Sequence, residues 1–135
     1  MLLQPKKTKY KKIKKGKKTK FNFKGNNLKF GSIGLKSIES GIITASQIES
    51  ARQAINRKLK RNGKIWIRIF PALPVTSKPT EVRMGKGKGA VSHWCVKVSS
   101  GTMLFEICNE NYYDSLKALR SGNYKLPVKT KIITS

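Results

Sequence analysis

The residues whose types and spacing could do chemistry are concentrated in one short glycine-rich stretch. This stretch, called the glycine loop below, consists of Arg83, Met84, Gly85, Lys86, Gly87, Lys88 and Gly89. Glycines let a backbone approach another molecule closely and bring its N–H groups within reach of phosphate oxygens. An ordinary mobile loop is the alternative, but the basic side chains favour contact with a nucleic-acid backbone.

The glycine loop does not match the phosphate-binding loops of nucleotide enzymes. A Walker loop needs GxxxxGK followed by Ser or Thr, and the dinucleotide fingerprint needs a later third glycine and a helix after it. The six carboxylates are scattered, and strand alternation should point Ser92 and His93 to opposite faces, which is wrong for a nucleophile and its base. We therefore predict no catalytic residue and no cofactor. A nucleotide-dependent enzyme is an alternative that nucleotide binding by the pure protein would revive.

Histidine and cysteine give a weak indication of a metal site. His93 and Cys95 lie two apart on one predicted strand face, and Cys108 could lie nearby on a partner strand. A structural zinc site would also need a fourth ligand and paired CxxC-like spacing, which the sequence lacks. We expect no metal, and we expect both thiols to be reduced and buried.

The charge of the chain predicts a polyanionic partner. The chain has thirty Lys and Arg and six Asp and Glu, which gives a formal net charge of +24. Such a surface repels itself at neutral pH until a polyanion brings its basic groups together. A membrane would call for a basic amphipathic helix or a lipidation motif, and neither is visible. Architectural DNA binding explains the charge as well as RNA does, although no helix-turn-helix, zipper or minor-groove wedge is evident.

The charge is concentrated at the N-terminus. Residues 1–24 hold eleven lysines, and the first acidic residue is Glu39. Such a segment buries too little apolar surface to offset its ordering entropy, so alone it should be disordered. We predict a polyanion-binding arm over residues 1–27, rather than a passive solvated tail, and a single domain over residues 28–135.

Five aromatic residues could stack on bases, but none has the spacing of a base-stacking RNP sheet. For each of them packing in the core or at an interface is an equal alternative. They are Phe21, Phe23, Phe30, Trp66 and Trp94.

The elements that position these residues begin with short strands and turns over 28–43 and one clear helix. Thr44 and Gln47 form a capping box, which predicts a helix from about Ala45 to Asn62 with Gly63 as its stop. One apolar stripe at helical spacing predicts its core face: Ile48, Ala51, Ile55 and Leu59. The opposite face carries Arg52, Asn56, Lys60 and, nearby, Arg57 and Arg61.

The second half of the chain predicts a sheet and a second helix. We expect a strand at 64–70, a proline-rich connection at 71–79 and a short strand at 81–84. Strands at 91–98 and 102–107 would then form a β-hairpin. A helix from about Tyr112, closed by Gly122-Asn123, and an extended segment at 126–133 complete the pattern. The prediction is an α+β domain with a mixed or antiparallel sheet and two helices.

Six sequence blocks stand out along the chain: LQPKKTKY (3–10), FGSIGLK (30–36), TASQIE (44–49), KRNGKIWIRIFP (60–71), RMGKGKG (83–89) with Trp94 five residues on, and KLPVKT (125–130). In this order, and over nearly the whole chain, they resemble the bacterial-type large-subunit ribosomal protein L-sixteen family. The sequence departs from the family at Lys7, where Arg is usual, near Lys14, where His is usual, and at Ala72. Residues 108–123 have drifted.

The resemblance implies the L-sixteen-like α+β fold and a non-enzymatic, structural role in the large ribosomal subunit. It implies binding to large-subunit rRNA beside neighbouring ribosomal proteins. It also implies that the N-terminal arm and the glycine loop reach toward A- and P-site tRNA near the peptidyl-transferase centre. The residues expected on rRNA are Lys6, Lys7, Lys9, Lys11, Lys12, Lys14, Lys15, Lys17, Lys18, Arg52, Arg57, Lys60 and Arg61.

The ratio of Lys to Arg gives an indication of the genome that encodes the chain, and so of the compartment. Lys outnumbers Arg 24 to 6, although Arg's planar fork suits RNA better, which indicates an AT-rich genome. With no import peptide visible, we expect an organelle-encoded protein of a mitochondrial ribosome. A plastid or a bacterial cytoplasm is the alternative.

Overall fold

The computed structural model describes residues 3–17, 21–60 and 62–135. These residues form an α+β fold of two antiparallel sheets and two helices, which confirms the predicted fold class. In chain order the elements are β1 (Ile33–Ser37), β2 (Gly41–Thr44), α1 (Ala45–Lys58), β3 (Lys64–Ile67), β4 (Leu73–Ser77), β5 (Ala90–Val98), β6 (Met103–Cys108), α2 (Tyr112–Asn123) and β7 (Thr130–Thr134). The predicted sites Lys18 and Arg61 lie outside the described residues.

The predicted hairpin of β5 and β6 is wrong, because the two strands belong to different sheets. One sheet has the order β3-β6-β1-β7 and the other the order β2-β5-β4. Each of the two strands is central, so both of its hydrogen-bonding edges are already used. The turn between them is bonded instead to the end of β1, with Gly101 N–H donating to Ser37 O (2.8 Å) and Ser37 N–H donating to Thr102 O (2.9 Å).

Helix α1 begins as predicted and ends earlier. The capping box of Thr44 and Gln47 is present, and the predicted apolar stripe is buried in the core. The helix ends at Lys58 rather than near Asn62 because the chain reverses sooner. The N–H of Lys60 donates to Arg57 O (3.3 Å) in a tighter i→i−3 turn, and Lys60 takes a left-handed φ of 51°, so the helix stops before Gly63 is reached.

Helix α2 packs on α1 through a glycine. A Cβ at Gly122 would lie 2.6 Å from Ile55 Cγ1, so this residue permits a close approach of the two helices. Asn111 caps the other end by accepting from the backbone N–H groups of Tyr113 (3.1 Å) and Asp114 (3.5 Å). The predicted helix therefore exists within the drifted segment, and Gly122 is a packing residue inside it.

The proline-rich stretch contains a strand that the sequence did not predict. Strand β4 carries Pro74 and, within the part of the chain that the structure describes, pairs with β5 alone, with Val75 opposite His93. A proline is tolerated there because β4 is an edge strand. The short strand predicted at 81–84 is wrong: this segment is a turn in which Val82 N–H donates to Pro79 O (3.2 Å).

The outer face of the four-stranded sheet, away from the helices, is covered by residues 22–31. The fully buried carboxylate of Glu106 accepts backbone N–H groups from Lys29 (3.1 Å), Phe30 (2.7 Å) and Gly31 (3.0 Å). Arg68 completes the site as an ion pair with the same carboxylate. A buried charge is stable only when it is paired and hydrogen-bonded, and Glu106 meets both conditions.

Candidate nucleic-acid interface

The N-terminal segment, residues 3–17, is irregular and presents its lysines to solvent. Leu3 is 9% exposed and joins the hydrophobic core, which attaches the beginning of the segment to the domain. All eight described lysines of the segment are exposed: Lys6, Lys7, Lys9, Lys11, Lys12, Lys14, Lys15 and Lys17. Their ammonium groups are therefore accessible to an anion.

The glycine loop links β4 to β5 and has a backbone that is open to its surroundings. Positive φ angles occur at Gly85 (105°), Lys86 (53°) and Gly87 (86°). A Cβ at either of these glycines would meet nothing within 4 Å. Arg83, Lys86 and Lys88 are exposed, and Met84 is 99% exposed. This arrangement leaves space for another molecule to reach the backbone.

The structure brings the N-terminal segment and the glycine loop together. Lys12 Nζ donates to the carbonyl oxygen of Lys88 (2.8 Å), and Lys88 Nζ donates to the carbonyl oxygen of Ile13 (2.7 Å). Farther along, Lys97 Nζ reaches the carbonyl oxygen of Lys17 (3.4 Å). Two predicted sites that lie 76 residues apart in sequence thus form one cationic surface, called the basic ridge below.

The basic face of α1 is less uniform than predicted. Arg57 and Lys60 are exposed. Arg52 is bound to Glu49 within the same helix, with Nε–Oε2 at 3.0 Å and Nη2–Oε1 at 2.6 Å. These hydrogen bonds lower the pKa of Glu49 to about 2, so the pair is ionised at neutral pH. A phosphate at Arg52 would have to compete with Glu49.

The expectation that both thiols are buried is confirmed for Cys95 and wrong for Cys108. Cys95 is buried on β5, while Cys108 is exposed at the end of β6, in the other sheet, so Cys108 does not lie on a strand that pairs with β5. Burial raises the pKa of the Cys95 thiol. His93 is exposed, and its Nδ1 lies 3.3 Å from Ser92 Oγ, although strand alternation had predicted opposite faces.

Across the described ranges 3–17, 21–60 and 62–135, no group of three or more His, Cys, Asp and Glu side chains could hold a metal ion. The same part of the chain contains no helix with the length and apolar character needed to cross a membrane.

Sequence reasoning missed a depression where the end of α1, the start of β3, the end of β6 and the start of α2 meet. Its volume is about 1030 Å³, and Trp66 forms part of its wall. Phe30 stacks on Trp66 with ring centroids 6.0 Å apart and an interplanar angle of 19°. Base stacking and packing were equal alternatives for these two aromatics, and only the tertiary structure places Trp66 in the wall of a depression with Phe30 stacked on it.

Comparison with known proteins agrees with the sequence motifs. Residues 5–133 match the family model described as Ribosomal protein L16p/L10e. The chain is 53% identical over 132 residues to the large ribosomal subunit protein uL16 of Bartonella quintana, covering 98% of this chain and 96% of the relative. It is 54% identical to the uL16 of Paracoccus denitrificans, with the same coverage. It is 52% identical to the uL16 of Caulobacter vibrioides, covering 93% of that relative.

Proposed function

Since the chain belongs to the ribosomal protein L16p/L10e family, and is thereby a structural, non-enzymatic constituent of the large ribosomal subunit, we propose that its basic ridge binds large-subunit rRNA. We further propose that the glycine loop helps to position A- and P-site tRNA near the peptidyl-transferase centre. Its other partners are neighbouring ribosomal proteins.

One observation carries this proposal: the reciprocal contact of Lys12 and Lys88 joins the N-terminal segment to the glycine loop. In these contacts two ammonium groups use peptide carbonyls as acceptors. A phosphate oxygen carries a full negative charge, and charge-assisted hydrogen bonds are about twice as strong as neutral ones. RNA phosphates can therefore replace the carbonyls without any change in the sheets beneath.

The rRNA-binding residues that we propose fall into two surfaces. The first is the basic ridge, with the exposed lysines of residues 3–17 and the exposed Arg83, Lys86 and Lys88. The second is the end of α1, with Arg57 and Lys60. Phosphate contacts of this kind fix orientation without reading sequence, so specificity must come from the folded shape of the rRNA.

Reconstitution of the large subunit tests the proposal. Wild-type chain should co-sediment with large-subunit rRNA through a gradient and protect rRNA riboses from cleavage by hydroxyl radicals generated in solution. Competition with duplex DNA of equal length separates this function from architectural DNA binding. A chain that remains in the free pool, or that duplex DNA displaces from rRNA at equal phosphate concentration, contradicts the proposal.

We also propose that the ribosome in question is mitochondrial and the gene organelle-encoded. The support is the 24 to 6 ratio of Lys to Arg in a chain that is about half identical to bacterial relatives. Locating the gene by sequencing purified organellar DNA tests this. A bacterial or plastid location of the gene overturns the compartment and leaves the ribosomal role unchanged.

A further inference from the structure

The depression beside Trp66 combines three kinds of surface. Its volume, about 1030 Å³, is at the upper end of the range for pockets that take small molecules. It lies at a junction of four elements rather than within one loop, so its shape is fixed by the packing of α1, β3, β6 and α2. Among the described residues, none of the side chains that line the depression belongs to the basic ridge.

The first surface is aromatic and held in place. Trp66 is stacked on Phe30, and Arg68 Cζ lies 5.2 Å from the centroid of the Phe30 ring. Glu106 fixes the backbone on both sides of Phe30 through its three N–H contacts, and fixes Arg68 as its ion pair. Yet Phe30 remains 57% exposed. The stack is thus preorganised without being buried.

The second surface is cationic and the third acidic. Lys58, Lys60 and Lys64 line the side formed by α1 and β3, and all three are exposed. Lys64 Nζ lies 5.3 Å from the centroid of the Trp66 ring. Glu110 and Asp114 line the side formed by α2 and the turn before it. A hydrophobic ligand does not suit these walls, and neither does a simple polyanion.

We propose that this depression takes one unstacked nucleotide of RNA. The base stacks on Trp66, the phosphate is bound by Lys58, Lys60 and Lys64, and an exocyclic amino group of the base donates to Glu110. The flexible Lys64 moves from the indole face outward to the phosphate. This inference rests on the proposed function, since it supposes an RNA partner. It concerns a surface that is separate from the basic ridge and shares Lys60 with the proposed rRNA surface at the end of α1.

The acidic wall predicts which base is preferred. Cytosine presents an amino group, a hydrogen-bond donor, at the position where uracil presents a carbonyl oxygen. A carboxylate accepts a hydrogen bond from the amino group of cytosine and repels the carbonyl oxygen of uracil. Cytosine and uracil have rings of the same size, so they form a matched pair of probes for Glu110.

Intrinsic fluorescence tests the stacking. The chain has two tryptophans, so the full-length Trp94→Phe protein reports on Trp66 alone. Single-stranded hexamers of cytidine and of uridine and an abasic hexamer are titrated, while anisotropy of a label on each RNA measures binding. The cytidine hexamer should quench Trp66 and bind about fivefold more tightly than the uridine hexamer. The abasic hexamer should bind through charge without quenching.

Two variants separate the contributions. Trp66→Leu should weaken binding of the cytidine hexamer about tenfold, a loss typical for one stacked base. Glu110→Gln should remove the preference for cytidine over uridine, and Glu39→Gln, a matched change at an exposed site elsewhere, should keep it. The quenching experiment retains the native Trp66, so the test holds even if Trp66→Leu does not fold.

The possible failures are distinguishable. If labelled hexamers bind without quenching Trp66, or if the protein binds structured rRNA but none of the hexamers, the nucleotide site is overturned and the proposed function stands. If neither hexamers nor large-subunit rRNA bind, the proposed function itself fails. Equal affinity for cytidine and uridine in the Trp94→Phe protein overturns the contact with Glu110.

Discussion

At the scale of single residues, Glu106 shows how one carboxylate can organise a strongly basic chain. Burial raises the pKa of Glu106, but the N–H groups of Phe30, Gly31 and Lys29, together with Arg68, favour its ionised form, and the net effect is a lowered pKa. Because Glu106 joins three backbone N–H groups of residues 22–31, the covering segment, to Arg68, which follows β3, it holds the covering segment in place. Nothing in the sequence around Glu106 distinguishes it from an exposed acid.

The lowered pKa gives a pH dependence of known sign. A group whose pKa is lower in the folded state contributes stability above its unfolded pKa, near 4.5, and this contribution is lost as pH falls through the folded pKa. We expect Glu106→Gln to lower the free energy of unfolding by about 3 kcal/mol at pH 7, because Arg68 is left without its partner. The stability of the variant should also fall less between pH 5 and pH 3, measured by urea unfolding.

A matched control keeps this result specific. Glu39 is half exposed and lies 3.2 Å from Lys129 Nζ in a surface ion pair, so Glu39→Gln should change stability by less than about 1 kcal/mol. The pKa of Glu49 is also lowered, to about 2, and a Glu49→Gln variant measures its separate share of the pH dependence. Equal stability of Glu106→Gln and wild type at pH 7 would show that Glu106 does not hold the covering segment.

At the scale of secondary-structure elements, the sequence predicted what local chemistry determines. The capping box at Thr44 and the apolar stripe of α1 depend on residues within a few turns of one helix, and both are confirmed. The hairpin of β5 and β6 was wrong because pairing depends on strands distant in sequence: each strand already lies between two others. Strand β4 was missed because the prolines of residues 71–79 were taken to exclude a strand. Proline excludes a central strand but is tolerated in an edge strand such as β4.

Contact between the two helices gives a prediction that only the structure supplies. Gly122→Ala should improve helix propensity by about 1 kcal/mol, but its Cβ would fall 2.6 Å from Ile55 Cγ1. Overpacking costs about 1–3 kcal/mol, so we expect a net loss of stability in thermal unfolding.

A second variant relieves the crowding caused by Gly122→Ala. Ile55→Ala alone should be destabilising by about 2–5 kcal/mol, as is usual for a buried isoleucine. In the double variant the alanine lacks both Ile55 carbons that crowd the position, Cγ1 (2.6 Å) and Cδ1 (2.8 Å), so the two costs should not add. Strict additivity would indicate that Gly122 is not in contact with Ile55.

The glycine loop gives an element-scale prediction about function. Lys86→Ala with Lys88→Ala should leave the fold intact, since both side chains are exposed, while weakening binding of A-site tRNA to ribosomes about tenfold through the loss of two phosphate contacts. Lys117→Ala with Lys125→Ala removes the same charge from exposed positions elsewhere and should leave tRNA binding unchanged. Normal A-site binding in the loop variant, measured by filter binding, would exclude the loop contact.

At the scale of the whole molecule, the net charge of +24 predicted the class of partner but not the shape of the interface. The sequence predicted the N-terminal lysines and the glycine loop as two separate sites. Their contact through Lys12 and Lys88 could not be predicted, because an irregular segment has no periodicity that encodes where it lies. The depression beside Trp66 was missed for a related reason: its walls come from four elements.

The basic ridge should make RNA binding strongly dependent on salt. Each neutralised phosphate releases counterions, so about six to ten contacts reduce affinity roughly a thousandfold or more between 50 and 200 mM salt. A variant with five arm lysines replaced by Gln should lower the slope of log affinity against log salt by up to about four. The replaced residues are Lys6, Lys7, Lys9, Lys11 and Lys12.

The control for this variant replaces the same five lysines with Arg, which keeps the charge and should keep the slope. Both variants should fold, because these side chains are exposed and only Lys12 among them bonds to the glycine loop, at Lys88 O. The measurement is binding of labelled large-subunit rRNA at several salt concentrations. If the Gln variant retains the wild-type slope, the phosphates are bound elsewhere, and the N-terminal segment is not part of the interface. If the slope of log affinity against log salt also falls for the Arg variant, the length and shape of each side chain matter more than its charge.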